Sequence, residues 1–315
     1  MDSIPPAKMR IASIDIGTNT LRLLIGELTE AGTVEKLHIQ RVITRLGEGF
    51  SQNNGIISEL AAQRTIRALS GFADVLSDYR VEHVRAVATS VVRESSNKEE
   101  FKERVNTETG LNIEIISGEE EAVLTVNGVL GSVTVTTEDA LIFDIGGGST
   151  EYIHVRGNTI ISLKSVPLGV IHMTEQYLSN NINSESELAH LTQYIDNILA
   201  SKLTDFDIPD TSILSLIGTA GTPTTLAAIE LKLDPYKPSL VNSFILSRVM
   251  IVHMLKKLSS MTAEERLSLT GLEKGREDLI VSGTLTVLRT MNRFSKDSLI
   301  VSDGGLLEGV LYSLA

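Results

Sequence analysis

Apolar and polar positions along this chain alternate between two periods. Ile11–Ile14, Leu21–Leu28 and Lys36–Thr44 are apolar or repeat every second residue, which predicts strands joined by a turn at Glu30–Thr33. Leu46–Gly55 is rich in Gly and Asn and reads as a loop. From Ser58, a candidate cap, to about Tyr79 the apolar residues Leu60, Ala61, Ile66, Leu69, Phe72, Ala73 and Leu76 form the stripe of an amphipathic helix. A short buried strand at 84–89, a helix at 99–109 closed by Gly110, a strand at 112–116 and a helix from Ser117 to about Leu130 follow.

After a polar, Thr-rich stretch at 133–139 the pattern restarts with strands at 140–145, 151–155 and 159–166. Two long helices are expected at 185–203 and 247–258, separated by a strand at 213–217. A helix at 277–293, a strand at 298–301, the turn Ser302–Gly305 and a short terminal helix complete the chain. Strands alternating with helices imply an α/β class. The restart near 128–138 implies a pseudo-repeat and two domains, 1–130 and 131–315, which 315 residues can accommodate.

Composition narrows the function. The net charge of −12 and pI of about 5.0 argue against a broad nucleic-acid surface, which needs a basic face. With no cysteine, thiol nucleophiles, disulfides and Cys-ligated metals are excluded. The first ten residues contain Pro5-Pro6 and no apolar core of a secretory signal, and no run reaches a membrane span of about 18 residues, so a cytoplasmic protein without membrane attachment is expected.

The chemistry is concentrated in a motif that occurs twice. Ile11–Thr20 and Ala140–Glu151 each carry an apolar strand into Asp-Ile-Gly and then a turn rich in Gly, Ser, Thr or Asn. Glycine permits the tight turn and a close backbone approach, and successive N–H groups in such a turn form an anion-binding concavity. Asp15 and Asp144, at the strand ends, can hold a hydrated hard cation. A third Gly-rich turn, Gly218–Gly221, leads into a helix with Thr222 as candidate N-cap and Pro223 at the first helical position, an arrangement suited to an anion. In Ser117-Gly-Glu-Glu-Glu121 the Ser117/Glu120 spacing fits a capping box. Glu121 is then left to take a proton from water. Arg93, just past a strand's C-terminal end, can grip phosphate oxygens bidentately. Arg276 with Asp278, and Asp303-Gly-Gly, are lesser candidates. Neither a Walker A sequence, nor G-x-G-x-x-G, nor a G-x-S-x-G elbow is present.

Taken in order, the two Asp-Ile-Gly loops, Ala86–Thr89 with Arg93, Ser117–Ala122, Asp144–Glu151 and Gly218–Ala228 resemble the exopolyphosphatase / guanosine pentaphosphate phosphohydrolase (Ppx/GppA) family of the actin–sugar kinase–Hsp70 superfamily. The resemblance implies two actin-like (ribonuclease H-like) α/β domains with an active-site cleft between them, in the short two-domain form, with the helix after about residue 300 returning to the first domain. It implies release of the terminal phosphate from inorganic polyphosphate, or of the 5′-γ-phosphate from pppGpp, with Mg²⁺, or Mn²⁺ in its place. By position, Glu121 matches the catalytic base, and Asp144, Asp15 and Glu151 match the metal-holding acids. Gly17, Thr18, Asn19, Thr20, Arg93, Gly146, Gly147, Gly148, Ser149, Thr150, Gly221 and Thr222 match the phosphate-binding set. Leu307 stands where the pattern leads one to expect a basic residue. The partners implied are a small polyanionic substrate and, in a homodimer, a second copy of the chain. The competing readings are a kinase or ATPase of the same superfamily and a non-catalytic sensor of pppGpp or polyphosphate.

Overall fold

The computed structural model describes residues 9–29, 32–50, 52–135, 137–179, 182–204, 206, 208 and 214–315. The predicted turn at 30–33 and the predicted strand start at Ile213 fall partly outside this set. Contacts divide the chain into two units, 1–128 with 306–315, and 129–305.

In the first unit β1 (Arg10–Ile16), β2 (Thr20–Leu28) and β3 (Val34–Ile43) form an antiparallel meander. The helix α1 (Glu59–Asp78) leads to β4 (His83–Ala88), which pairs parallel to β1. The short α2 (Ser90–Glu94) and α3 (Lys98–Thr109) precede β5 (Ile113–Ile115), and α4 (Gly118–Leu130) follows it. The sheet order is β3-β2-β1-β4-β5. Ser58 caps α1 as its sequence predicts, its hydroxyl accepting from the Ala61 N–H at 3.3 Å. The loop predicted around Arg93 is instead the helix α2.

The second unit repeats the plan. β6 (Asp139–Ile145), β7 (Thr150–Arg156) and β8 (Thr159–Val166) are the meander. Next come α5 (Val170–Tyr177), α6 (Glu185–Lys202), β9 (Ser215–Thr219), α7 (Gly221–Glu230), α8 (Pro238–Val241), β10 (Ile245–Ser247), α9 (Arg248–Ser259), α10 (Ala263–Arg266), α11 (Ile280–Arg293) and β11 (Ser298–Val301). The order β10-β11-β9-β6-β7-β8 matches the first sheet with one edge strand added. This is the actin-like, ribonuclease H-like arrangement, and the fold is α/β. None of its described helices is long and apolar enough to cross a membrane.

Alternation places one face of each meander in a helix-covered core. In the first unit Ile14, Leu21, Leu23 and Ile25 pack with Leu69 and Phe72 of α1. In the second, Leu141, Phe143 and Tyr152 pack with Leu191, Ile195 and Met291. On the opposite face of the first sheet lies α12 (Leu306–Tyr312), where Leu307 and Leu311 pack on Ile11 and Leu24. Leu307, at the position where a basic residue was expected, is therefore a core residue, 1% exposed. Glu308 of α12 is also buried and meets Lys36 Nζ at 2.9 Å. Unpaired, it would be a costly buried charge.

Candidate phosphate-binding loops and acidic site

Each meander turns at an Asp-Ile-Gly loop, and the two loops have one geometry. The Gly17 N–H donates to the Thr20 carbonyl at 3.1 Å, and the Gly146 N–H to the Ser149 carbonyl at 2.9 Å. The segment following the third strand then clamps each loop by its carbonyls. In the first unit, Thr44 and Arg45 donate to the Asn19 oxygen at 3.1 and 3.0 Å, and Gly47 donates to the Thr18 oxygen at 2.8 Å. In the second, Val170 and Ile171 donate to the oxygens of Gly146 and Gly147 at 3.1 and 3.0 Å.

A trans peptide sets its N–H opposite its C=O. With the carbonyls of Thr18, Asn19, Gly146 and Gly147 drawn toward the clamp, the following N–H groups of Asn19, Thr20, Gly147 and Gly148 are directed away from it. That is the orientation an anion-binding loop requires. The second clamp is very close: a Cβ on Gly169 would lie 2.2 Å from the carbonyl carbon of Gly148 and 2.3 Å from the oxygen of Gly147.

Side chains divide the loop residues. Thr18 is buried and its hydroxyl meets that of Ser90 at 3.0 Å. The Thr150 hydroxyl donates to the Leu168 carbonyl at 2.7 Å, so this residue anchors the strand start through its side chain. The Ser149 hydroxyl donates to Glu151 Oε1 at 2.8 Å. The Asn19 side chain is 7% exposed and its Oδ1 has no hydrogen-bond partner.

The acidic residues also separate. Asp15 pairs in register with Arg22 of β2, whose Nε and Nη2 donate to Oδ2 at 2.9 and 2.5 Å. Asp144 pairs in register with Glu151 of β7. Two carboxylates directly opposed across a sheet repel each other. Glu151 is 5% exposed, and its Oε1 accepts from the hydroxyls of Ser149 and Ser165 at 2.8 and 2.7 Å.

Among the described residues no group of three or more His, Asp or Glu side chains is arranged to cage a metal. A closed cage is not what Mg²⁺ uses: it keeps several waters and takes one or two carboxylates plus substrate phosphates. The opposed pair Asp144–Glu151, beside a loop of outward N–H groups, fits that mode. Asp15, already bonded by a guanidinium, fits it less well.

The triplet Glu119–Glu121 is resolved by α4. Glu119 is exposed. The Ser117 hydroxyl accepts from the Glu120 N–H at 3.1 Å, but the Glu120 carboxylate does not close the expected capping box; Arg85 Nη2 binds it at 2.6 Å. Glu121 is half-buried, and Arg93 Nη1 donates to its Oε2 at 2.8 Å and to the Ile116 carbonyl at 3.1 Å. Arg93 and Glu121 are thus brought together, and Asp144, Ser149 and Glu151 are brought together in the other unit.

The third turn differs from expectation. The N-cap of α7 is Ala220, with φ +67°, and Thr222 lies one residue inside the helix. Non-glycine backbone in such a region is strained and concentrates at functional sites. The Arg276 guanidinium lies against Gly221, where a Cβ would meet its Nη1 at 2.0 Å, and its Nε donates to Glu273 at 2.8 Å. A cation beside the positive end of a helix dipole is favourable when an anion joins them, and the Glu273 carboxylate supplies one here.

Sequence reasoning did not single out Arg22 or Gly169 and ranked Arg276 low. Superposing the two motif copies was the available signal for Arg22, since Arg22 stands to Asp15 as Glu151 stands to Asp144.

The fold and these loops describe a phosphate-handling α/β protein. The profile of the "Ppx/GppA phosphatase family" matches residues 25–315, and the chain belongs to that family. It is 29% identical to exopolyphosphatase 2 of Mycobacterium tuberculosis, over 98% of this chain and 99% of that protein. It is 33% identical to the bifunctional 3-dehydroquinate synthase/phosphatase of Fusobacterium nucleatum, over 95% of this chain but only 46% of that one. To guanosine-5′-triphosphate,3′-diphosphate pyrophosphatase of Aliivibrio fischeri it is 29% identical, spanning 60% of that protein. Among solved structures, the Ppx/GppA family member of Aquifex aeolicus has 33% identity and a TM-score of 0.81, covering 98% of both chains. An exopolyphosphatase from Cytophaga hutchinsonii has 30% identity and a TM-score of 0.87, covering 97% of both.

Proposed function

We propose that this chain is a phosphohydrolase acting on phosphoric anhydrides, releasing the terminal phosphate of inorganic polyphosphate or the 5′-γ-phosphate of pppGpp. The observation that carries this reading is the pair of clamped loops whose N–H groups face outward. Such loops hold phosphate oxygens without a basic surface, which reconciles a polyanionic substrate with a net charge of −12. The names of the M. tuberculosis and A. fischeri relatives supply the two substrate classes.

Phosphoryl transfer rests on positioning and charge neutralisation. Glu121 orients a water molecule for in-line attack and accepts its proton, while Arg93 fixes that carboxylate and presents its remaining N–H groups to the phosphate. The candidate phosphate ligands are the N–H groups of Asn19 and Thr20 in the first unit and, in the second, those of Gly147 and Gly148 with Gly221, Thr222 and Arg276. Asp144 and Glu151 are the residues that would hold Mg²⁺ or Mn²⁺, with Asp15 held back by Arg22. The bound ion supplies charge neutralisation on the phosphates.

The test is phosphate release from polyphosphate and from pppGpp, with Mg²⁺, by wild type and Glu121→Gln. Loss of about 10²-fold or more on both substrates in a folded variant is expected for a general base. Wild-type levels of release from Glu121→Gln would remove Glu121 from the reaction. Absence of release from both substrates by the wild type would remove the reading altogether.

A further inference from the structure

The helix that bears Glu121 is braced from one side by the last helix of the chain. A Cβ on Gly309 of α12 would lie 1.8 Å from the carbonyl oxygen of Leu124, 2.5 Å from its carbonyl carbon and 3.1 Å from its Cα. These are backbone atoms of α4, one helical turn beyond Glu121. No side-chain rotation can relieve such a contact; only movement of one helix against the other can.

Around it Leu124 packs with Leu306 and Val310 of α12 and with Val87 and Ile116. At the far end of α12, Arg85 Nη1 donates to the Ser313 hydroxyl at 2.9 Å while its Nη2 holds Glu120 at 2.6 Å, so one guanidinium joins the end of α12 to the first turn of α4. The other end of α12 is fixed by Ser13, whose hydroxyl donates to the Leu307 carbonyl at 2.8 Å, and by the ion pair of exposed Lys36 with buried Glu308. The Glu121 carboxylate, by contrast, is held in the structure by Arg93 of the five-residue α2.

We propose that α12 is a positioning element for the proposed base, with Gly309 as the positioning residue: its missing side chain sets the depth of α4, and hence where the Glu121 carboxylate stands. The inference rests on the reading of Glu121 given above. It assigns Gly309 no contact with substrate.

Gly309→Ala must push α4 away by more than an ångström to admit a methyl group. A misplacement of about 1 Å can cost about 10²-fold in turnover, and kcat should carry nearly all of the loss while KM stays within about two-fold, because the substrate-binding loops are untouched. Gly71→Ala on the exposed face of α1, where a Cβ meets nothing within 4 Å, is the control that should keep wild-type kinetics. Arg85→Gln cuts the tie between Ser313 and Glu120 without adding atoms and should lower kcat by about three- to ten-fold, again with KM kept.

The experiment is steady-state phosphate release by these full-length variants and Glu121→Gln, with circular dichroism to establish folding. A folded Gly309→Ala with wild-type kcat, while Glu121→Gln is inactive, overturns this inference alone. An active Glu121→Gln overturns the base and this inference with it. Where Gly309→Ala does not fold, Arg85→Gln decides: wild-type kcat overturns the proposal, and a kcat-only loss supports it.

Discussion

The two Asp-Ile-Gly hairpins share a backbone and differ in charge. Both turns close with a Gly N–H on the carbonyl three residues later, and both have their carbonyls clamped from behind. Across from the aspartate, however, the first hairpin places Arg22 and the second Glu151. At the opposite ends of the strands the hairpins agree in carrying a complementary pair, Arg10 with Glu27 in the first and Asp139 with Arg156 in the second. Backbone geometry therefore makes both loops competent for anions, while one cross-strand residue decides the rest. A guanidinium is paired with Asp15; a second carboxylate stands opposite Asp144, where the proposed function sets its cation.

The largest expected effect is on turnover. Asp144→Asn should lower phosphate release by about 10²–10³-fold, the scale of losing one preorganised charge-stabilising group, and should raise the Mg²⁺ concentration needed for half-activity. Asp15→Asn should cost less than about ten-fold with an unchanged Mg²⁺ requirement. Equal losses and equal metal shifts for the two substitutions would erase the distinction drawn between the loops.

The clamps give the next contrast. Gly169→Ala sets a methyl group against the backbone of Gly147 and Gly148, and should lower kcat/KM by about 10²-fold with a large rise in KM, since it displaces a binding loop. Gly47→Ala clashes with the Thr18 methyl, at 2.2 Å, and meets the Thr18 carbonyl oxygen only at an ordinary 3.4 Å; the methyl can turn at the expense of the Thr18–Ser90 contact. Its loss in the same assay should be about ten-fold smaller. A milder Gly169→Ala than Gly47→Ala would contradict the clamp geometry.

Stability should move in opposite directions in the two hairpins. Arg22→Leu strands the buried Asp15 carboxylate and should cost about 2–3 kcal/mol in urea denaturation, after allowance for the partial solvent access of Arg22. Glu151→Gln removes a like charge opposite Asp144 and, measured without metal, should leave stability unchanged or raise it by about 0.5 kcal/mol, although activity falls. A loss of stability from Glu151→Gln as large as that from Arg22→Leu would show that charge is not what separates the hairpins.

The smallest effect lies at the base of the second hairpin. The His154 hydrogen bond, and then Arg156, hold the Asp139 carboxyl below the usual carboxylate range. A depressed acid contributes stability above its unfolded-state pKa and loses it as pH falls through the folded value. The stability advantage of wild type over Asp139→Asn should therefore be constant near neutrality and shrink below about pH 4. An advantage that persists unchanged in acid would assign it to packing.

Much of this was legible in the sequence because it is local. Period-two and period-3.6 patterns place the strands and long helices, and Asp-Ile-Gly followed by hydroxyl-bearing residues marks both turns. The short elements α2, α5, α8 and β10 were not legible, being too brief to show a period. The start of α7 was misplaced because Thr-Pro suggests a cap that the strained Ala220 takes instead. Glu120 and Glu121, adjacent and chemically alike, could be told apart only once Arg85 and Arg93, distant in sequence, had selected one each.

By itself the sequence determined the longer elements, the repeat and the two Asp-Ile-Gly turns, since these follow from side-chain spacing and from where glycine permits a turn. Only the tertiary structure decided which aspartate meets Arg22 across the sheet, which glutamate stands beside Arg93, and that Gly169 and Gly309 must lack side chains. Those outcomes depend on register across strands and on backbones meeting within van der Waals distance, and such contacts join residues that no local pattern connects.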